Sequence, residues 1–164
     1  TRFRNVTGVQ TCALPISILR FKYGREYPLR PWLGRWLWDG FREHYAGESW
    51  DALIPVPLHP WRKRRRGFNQ SLEVTRWMAN KTGLPVREGL IREKVTIPQA
   101  RLRRSERLRN LRGALALARG FDPRGLRLLI CDDIYTTGAT ADACARVLRQ
   151  AGAAEVAALT VARG

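Results

Sequence analysis

Residues Leu128–Thr140 read LLICDDIYTTGAT, and the fold is decided by how this stretch is read. Leu128, Leu129, Ile130 and Cys131 form an apolar run with no polar interruption. Such a run fits a strand buried on both faces of a parallel sheet. Two carboxylates, Asp132 and Asp133, follow at once, and then a loop of small hydroxyl residues around one glycine: Thr136, Thr137, Gly138, Ala139 and Thr140. Beyond the loop Cys144, Val147, Leu148 and Ala151 recur at helical spacing, with Gly152 placed to end the helix.

Strand, acidic pair, small-residue loop and helix, in that order, carry a chemistry. Ligands of open α/β sheets sit beyond the carboxyl ends of the strands. A loop entering a helix offers free backbone N–H groups and the positive end of the dipole, which suits a phosphate. Gly138 permits a positive φ and close backbone approach. Carboxylates are acceptors only, so Asp132 and Asp133 suit sugar hydroxyls or a hydrated Mg²⁺. A phosphate site beside a vicinal-hydroxyl site describes a ribose 5-phosphate. The stretch resembles the phosphoribosyl-pyrophosphate (PRPP) motif of type I phosphoribosyltransferases.

Outward from this unit the chain alternates strand and helix. A last strand is expected near Glu155–Val161, another at Ala114–Ala118, and a turn at Phe121–Gly125. Ala52–Val56 reads as a strand that ends in the turn Pro55-Val56-Pro57-Leu58. The unbroken basic run Arg62-Lys63-Arg64-Arg65-Arg66 follows, read as a loop. Phe68, Leu72, Thr75, Met78 and Ala79 then mark a helix ending at Gly83. A basic run pinned beside a helix N-terminus can clamp an anion. Leu84–Ile91 reads as an edge strand. Lys94–Arg112 is rich in arginine and reads as a lid over an anionic substrate or a nucleic-acid patch. The alternation predicts a mostly parallel α/β sheet.

The lead-in Ile18–Trp50 is aromatic. Trp32, Leu33, Trp36, Leu37 and Phe41 share one helical stripe, which predicts a helix over Pro31–Tyr45 docked on the main domain. Trp38 falls off that stripe and is expected at the surface, and His44 has no evident partner. Val6–Ile16 (VTGVQTCALPI) matches the translation of a common sequencing-library adapter. Residues 1–16 are therefore read as a sequencing artefact, expected to be disordered. Residues 17–50 form the lead-in and residues 51–164 the main domain.

Composition bounds the rest. The 164 residues suit one domain, and a 45% hydrophobic content is enough for a real core. Thirty Lys and Arg against fourteen Asp and Glu give a formal charge of +16, which attracts nucleic acid or phosphorylated small molecules. The three cysteines show neither metal spacing nor a disulfide pattern, which fits a reducing cytoplasm. Cys131 and Cys144 fall on core faces and are expected to be buried and inert. No apolar run is long enough to span a membrane, and no leader with a continuous apolar region opens the chain. There is no GxxxxGK, no GxGxxG, and no Ser/His/Asp or Cys/His constellation.

With these residues in place, the chain resembles the ComF family of phosphoribosyltransferase-like proteins. The resemblance rests on Phe21–Gly24 (FKYG), Ile54–Leu58 (IPVPL), Arg66–Gln70 (RGFNQ), Thr96–Ala100 (TIPQA), Arg107–Gly113 (RLRNLRG), Leu128–Thr140, Ala151–Val156, and Ala162-Arg163. It implies a type I phosphoribosyltransferase-like fold, with a mostly parallel central sheet flanked by helices and a small hood. It implies catalytic roles for Asp132 and Asp133 at the ribose hydroxyls, and a 5-phosphate cradle of Thr136, Thr137, Gly138, Ala139 and Thr140. Val56, Pro57, Leu58 and His59 would lie near the pyrophosphate, with Arg62, Arg64, Arg65 and Arg66 nearby. Lys94, Gln99, Arg101, Arg107 and Asn110 would belong to the hood loop. Mg²⁺ would arrive with PRPP and not through a set of direct protein ligands. ComF proteins commonly begin with a four-cysteine zinc segment. None is visible here, and the adapter reading places it, with its zinc, in a missing N-terminus.

Three functions fit: phosphoribosyl transfer from PRPP to an unspecified acceptor, PRPP or nucleotide sensing without turnover, and DNA handling in competence and DNA uptake. The last would use the fold as a basic platform for single-stranded DNA or the competence machinery.

Overall fold

The computed structural model describes residues 2–5, 27–93, 113–135 and 137–163. In chain order the elements are β1 (Arg2–Asn5), α1 (Arg30–His44), β2 (Ala52–Pro55), α2 (Pro60–Arg66) and α3 (Gln70–Thr82). They continue with β3 (Leu90–Arg92), β4 (Leu115–Leu117), β5 (Arg127–Tyr135), α4 (Ala139–Gln150) and β6 (Glu155–Arg163). Four strands form a parallel sheet in the order β1-β6-β5-β2. β3 and β4 form a separate antiparallel pair, with Leu90 opposite Leu117. The expected α/β class and mostly parallel sheet are what the chain adopts.

Alternation along β5 builds two cores. Leu129 and Cys131 join Leu33, Leu37, Phe41 and Met78 on the face covered by α1 and α3. Leu128 and Ile130 join Cys144, Ala145 and Leu148 on the face covered by α4. All four strand residues are fully buried. Each buried Leu or Ile stabilises the fold by about 1.5–3 kcal/mol, so this strand pins both layers. α1 belongs to the same core as the sheet and is no detached lead-in.

Several expectations need correction. β5 does not stop at Cys131: it runs through the acidic pair to Tyr135, held in register by β6. Within residues 1–16, read as disordered, Arg2–Asn5 forms an edge strand on β6. That pairing uses backbone groups, which an open sheet edge offers to any extended segment. The basic run is helix and not loop. Pro60 sits in its first turn and His59 caps it, Nδ1 accepting from Trp61 N at 3.2 Å. Trp32, placed on the buried stripe, is 59% exposed. Trp38, expected at the surface, is partly buried and stacks on Phe41 at 5.7 Å between ring centroids. From Leu84–Ile91 only Val86 bridges to β2; the strand proper begins at Leu90 and pairs with β4. The helix after the PRPP-like loop ends where Gly152 predicted, with Gly152 N donating to Arg149 O at 3.0 Å.

Candidate functional site

β2 and β5 are parallel neighbours, with Pro55 opposite Cys131. β2 therefore ends beside Cys131, just before the acidic pair, and Val56 N donates to Cys131 O at 3.0 Å. This register brings the turn Val56-Pro57-Leu58-His59 against the acidic pair. The α3 N-terminus closes the same corner. Asn69 caps α3, its Oδ1 accepting from Ser71 N at 3.2 Å, while its Nδ2 donates to Val56 O at 3.0 Å. Ser71 Oγ then donates to Asp132 Oδ1 at 2.7 Å. One continuous hydrogen-bonded path thus ties the turn, the α3 cap and the carboxylate together.

The two carboxylates are not equivalent. Successive strand residues point to opposite faces. Asp132 is half-buried, and its Oδ1 also accepts from Asp133 N at 2.9 Å. Asp133 is only 2% exposed. At the loop, Gly138 has φ 76° and caps α4. A Cβ there would come within 2.6 Å of the Tyr135 hydroxyl. Ala139 and Thr140 open α4, and Asp142 N donates to Gly138 O at 2.8 Å. Thr137 Oγ1 is buried with no hydrogen-bond partner among the described residues. Thr136 lies outside the described residues, as do Lys94, Gln99, Arg101, Arg107 and Asn110 of the expected hood loop.

The basic groups divide by burial. Lys63, Arg64 and Arg65 project from α2 into solvent, and the Arg65 guanidinium lies 5.7 Å from the centroid of the exposed Trp61 ring. Arg62 and Arg66 are half-buried, and Arg66 Nη1 donates to Gln70 Oε1. His59 spends Nδ1 on capping α2. Arg92, in the short β3 strand, is 7% exposed. Burial and the nearby charge of Arg62 lower its pKa, offset in part by Asp132. A cleft of about 300 Å³ opens between the β2–α2 turn and β3, lined by Pro57, Leu58, Lys63, Asn69, Glu88 and Arg92 among others.

Burial pushes the Cys131 thiol up to about 12 and raises that of Cys144 as well, so both stay protonated and inert at neutral pH. Among the described residues no group of three or more His, Cys, Asp or Glu converges as a cation site. Mg²⁺ keeps several waters and is commonly held through one or two carboxylates plus substrate phosphates. Asp132, partly exposed in the carboxyl half of β5, fits that mode of holding.

Sequence reasoning missed Ser71 and Arg92. Ser71 follows Asn69 at the start of an apolar-periodic segment, so the cap was legible, but its second bond to Asp132 spans 61 positions. Arg92 falls between the expected edge strand Leu84–Ile91 and the basic segment Lys94–Arg112; the structure places it in β3, paired with β4 and buried.

A parallel sheet with an acidic pair in the carboxyl half of a central strand, followed by a glycine-turned loop into a helix, defines a class: type I phosphoribosyltransferase-like. Solved structures agree. The allosteric regulatory enzyme of purine biosynthesis superposes with a TM-score of 0.53 at 27% identity, over 80% of this chain and 25% of that one. Purine phosphoribosyltransferase from Pyrococcus horikoshii shares the fold, with a TM-score of 0.51 at 14% identity over 81% and 83% of the two chains. The sequence is 34% identical to competence protein F of Haemophilus influenzae, covering 87% of this chain and 65% of that protein. It is 35% identical to the DNA utilization protein YhgH of Salmonella typhimurium (94% and 70%) and to competence protein ComFC of Bacillus subtilis (68% and 44%). No family model matches the chain. The chain belongs to the ComF family and spans about two thirds of the length of the first two relatives.

Proposed function

We propose that the chain binds PRPP, or a related ribose 5-phosphate nucleotide, and transfers the phosphoribosyl group to an acceptor. The observation that carries this reading is the buried Thr137 hydroxyl, which has no hydrogen-bond partner among the described residues, beside the positive-φ Gly138 at the head of α4. A buried hydroxyl without a partner costs about 1–3 kcal/mol, and a phosphate oxygen in the cradle would satisfy it. In the transfer, a nitrogen of the acceptor bonds to C1 of the ribose while the C1–O bond to pyrophosphate breaks. Pyrophosphate leaves with the electron pair, and the acceptor's proton passes to solvent. Mg²⁺, when bound, neutralises the pyrophosphate. Asp132 orients the ribose hydroxyls, and Arg62 adds positive charge near the turn. Positioning and charge stabilisation supply the catalysis, with no covalent nucleophile.

PRPP with Mg²⁺ is expected to raise the melting temperature by several degrees. At a hundred times Kd the stabilisation is about 2.7 kcal/mol. Asp132→Asn combined with Asp133→Asn should remove that shift. A wild-type protein that does not respond at all would reject the ribose-phosphate site.

A second reading is favoured by Trp61, 54% exposed on a helix with exposed Lys63, Arg64 and Arg65. An exposed ring among cations is a platform for stacking single-stranded DNA bases. Fluorescence anisotropy should show affinity that falls steeply with salt and drops in Arg64→Ala/Arg65→Ala. DNA binding that is indifferent to both salt and these changes would exclude the α2 platform. No helix among the described residues is long and apolar enough to cross a membrane.

A further inference from the structure

A residue without a Cβ takes positive and negative φ about equally well, so Gly138 by itself does not hold the left-handed turn that opens α4. What stands against it is the ring of Tyr135. A Cβ at Gly138 would lie 2.6 Å from the Tyr135 hydroxyl oxygen and 2.9 Å from Cε2 and Cζ, so the ring fills the space that a side chain would take. Tyr135 is the last residue of β5 and pairs with Arg163 across the ladder to β6. We propose that Tyr135 is a positioning residue of the ribose-phosphate site read above. Its ring braces Gly138 at φ 76° and so keeps the Thr137 hydroxyl and the first N–H groups of α4 set for a 5-phosphate.

Three observations support the assignment. First, the brace is anchored, because Tyr135 stands on a strand held in register by its neighbour. A site is held most accurately by groups on rigid elements. Second, the bond from Asp142 N to Gly138 O at 2.8 Å ties the turn to α4, and the Tyr135 ring ties the same glycine back to β5. The contact between residues 135 and 138 thus closes the short loop from both sides. Third, Thr137 lies inside that closed loop, and its hydroxyl is buried without a hydrogen-bond partner among the described residues. A hydroxyl on a loose loop would turn to water and be satisfied there. One kept buried is held by its surroundings, and the ring against the next residue supplies that hold. A ligand that needs the loop in this one arrangement loses affinity in proportion to the time the loop spends elsewhere.

The test titrates PRPP with Mg²⁺ by calorimetry into the full chain as wild type, Tyr135→Phe and Tyr135→Ala. The temperature is one at which circular dichroism shows each protein fully folded. A loss of stability alone then leaves Kd unchanged, because nearly every molecule is already native. Tyr135→Ala should weaken binding about tenfold, the loss expected when the competent loop is populated about one tenth of the time. Tyr135→Phe keeps the ring against Gly138 and should stay within about threefold of the wild type, under 1 kcal/mol. A Phe variant as weak as the Ala variant means that the hydroxyl itself holds the ligand, and it overturns the brace. An Ala variant that binds like the wild type overturns it as well. If Tyr135→Ala fails to fold, Tyr135→Leu, which keeps apolar bulk without the ring, takes its place with the same outcomes. The proposal rests on the ribose-phosphate reading, so a wild type that PRPP neither stabilises nor titrates ends both. A wild type that binds PRPP, with an Ala variant that binds it equally, ends the brace alone and leaves the cradle standing.

Discussion

Ser71 shows how one buried hydroxyl can fix a carboxylate far away in the sequence. It is 1% exposed, and it donates to Asp132 while its own carbonyl accepts from Thr75 Oγ1 at 2.6 Å. A hydrogen bond to a charged group contributes about 1.5–3 kcal/mol, so the Asp132 carboxylate is held in one orientation before any ligand arrives. Ser71→Ala should therefore weaken PRPP binding by between about tenfold and about a hundredfold, the scale of that loss, while leaving inorganic pyrophosphate unaffected. Calorimetry with both ligands separates the cases, since a general loosening of the fold would weaken both. Asn69 works at the other end of the path, with one side-chain atom on the α3 cap and the other on the Val56 carbonyl.

Among the elements, the loop from β5 to α4 is the most constrained. Gly138 combines a φ of 76° with a Tyr135 hydroxyl only 2.6 Å from where a Cβ would stand. Gly138→Ala meets both obstacles, at a cost of about 1–3 kcal/mol for the backbone, and displaces the Thr137 hydroxyl. Thermal unfolding should show a lower melting temperature together with loss of the PRPP-induced shift. If the shift persists undiminished, the loop is not the phosphate cradle. α2 differs in kind. It places Arg62 and Arg66 one turn apart, which is mildly unfavourable for a helix. The His59 cap and Pro60 hold it in place, and Lys63, Arg64 and Arg65 point outward where an anion can use them.

At the scale of the molecule, α1 shares one core with the sheet, so the two are expected to unfold as one unit. Gly34 of α1 lies against Trp77 of α3, and a Cβ at Gly34 would approach that ring to 2.7 Å. Gly34→Leu should pry the two helices apart and lower the single melting transition by several degrees. Far-UV circular dichroism and tryptophan fluorescence should still report one coincident midpoint. Two separated transitions in the wild type would show instead that α1 is an independent layer. The net charge of +16 acts over the whole surface and raises association rates with any polyanion at low salt.

The local pattern of Leu128–Thr140 was enough to place a doubly buried strand, a glycine-turned loop and a helix in order, because apolar periodicity and glycine chemistry are short-range properties. The family was legible for the same reason: its motifs are contiguous. The length of β5 was not, because a ladder to β6 overrides the preference of aspartate for loops. Nor was the state of the basic run, where the cap at His59 outweighed the repulsion among arginines. The Ser71–Asp132 bond and the burial of Arg92 belong to tertiary structure alone. Each depends on strands and helices far apart in sequence meeting at one sheet edge, and no local pattern encodes that meeting. Leu128–Thr140 thus specified a strand, a loop and a helix in order, and the packing of α3 against β5 decided that Ser71 reaches Asp132.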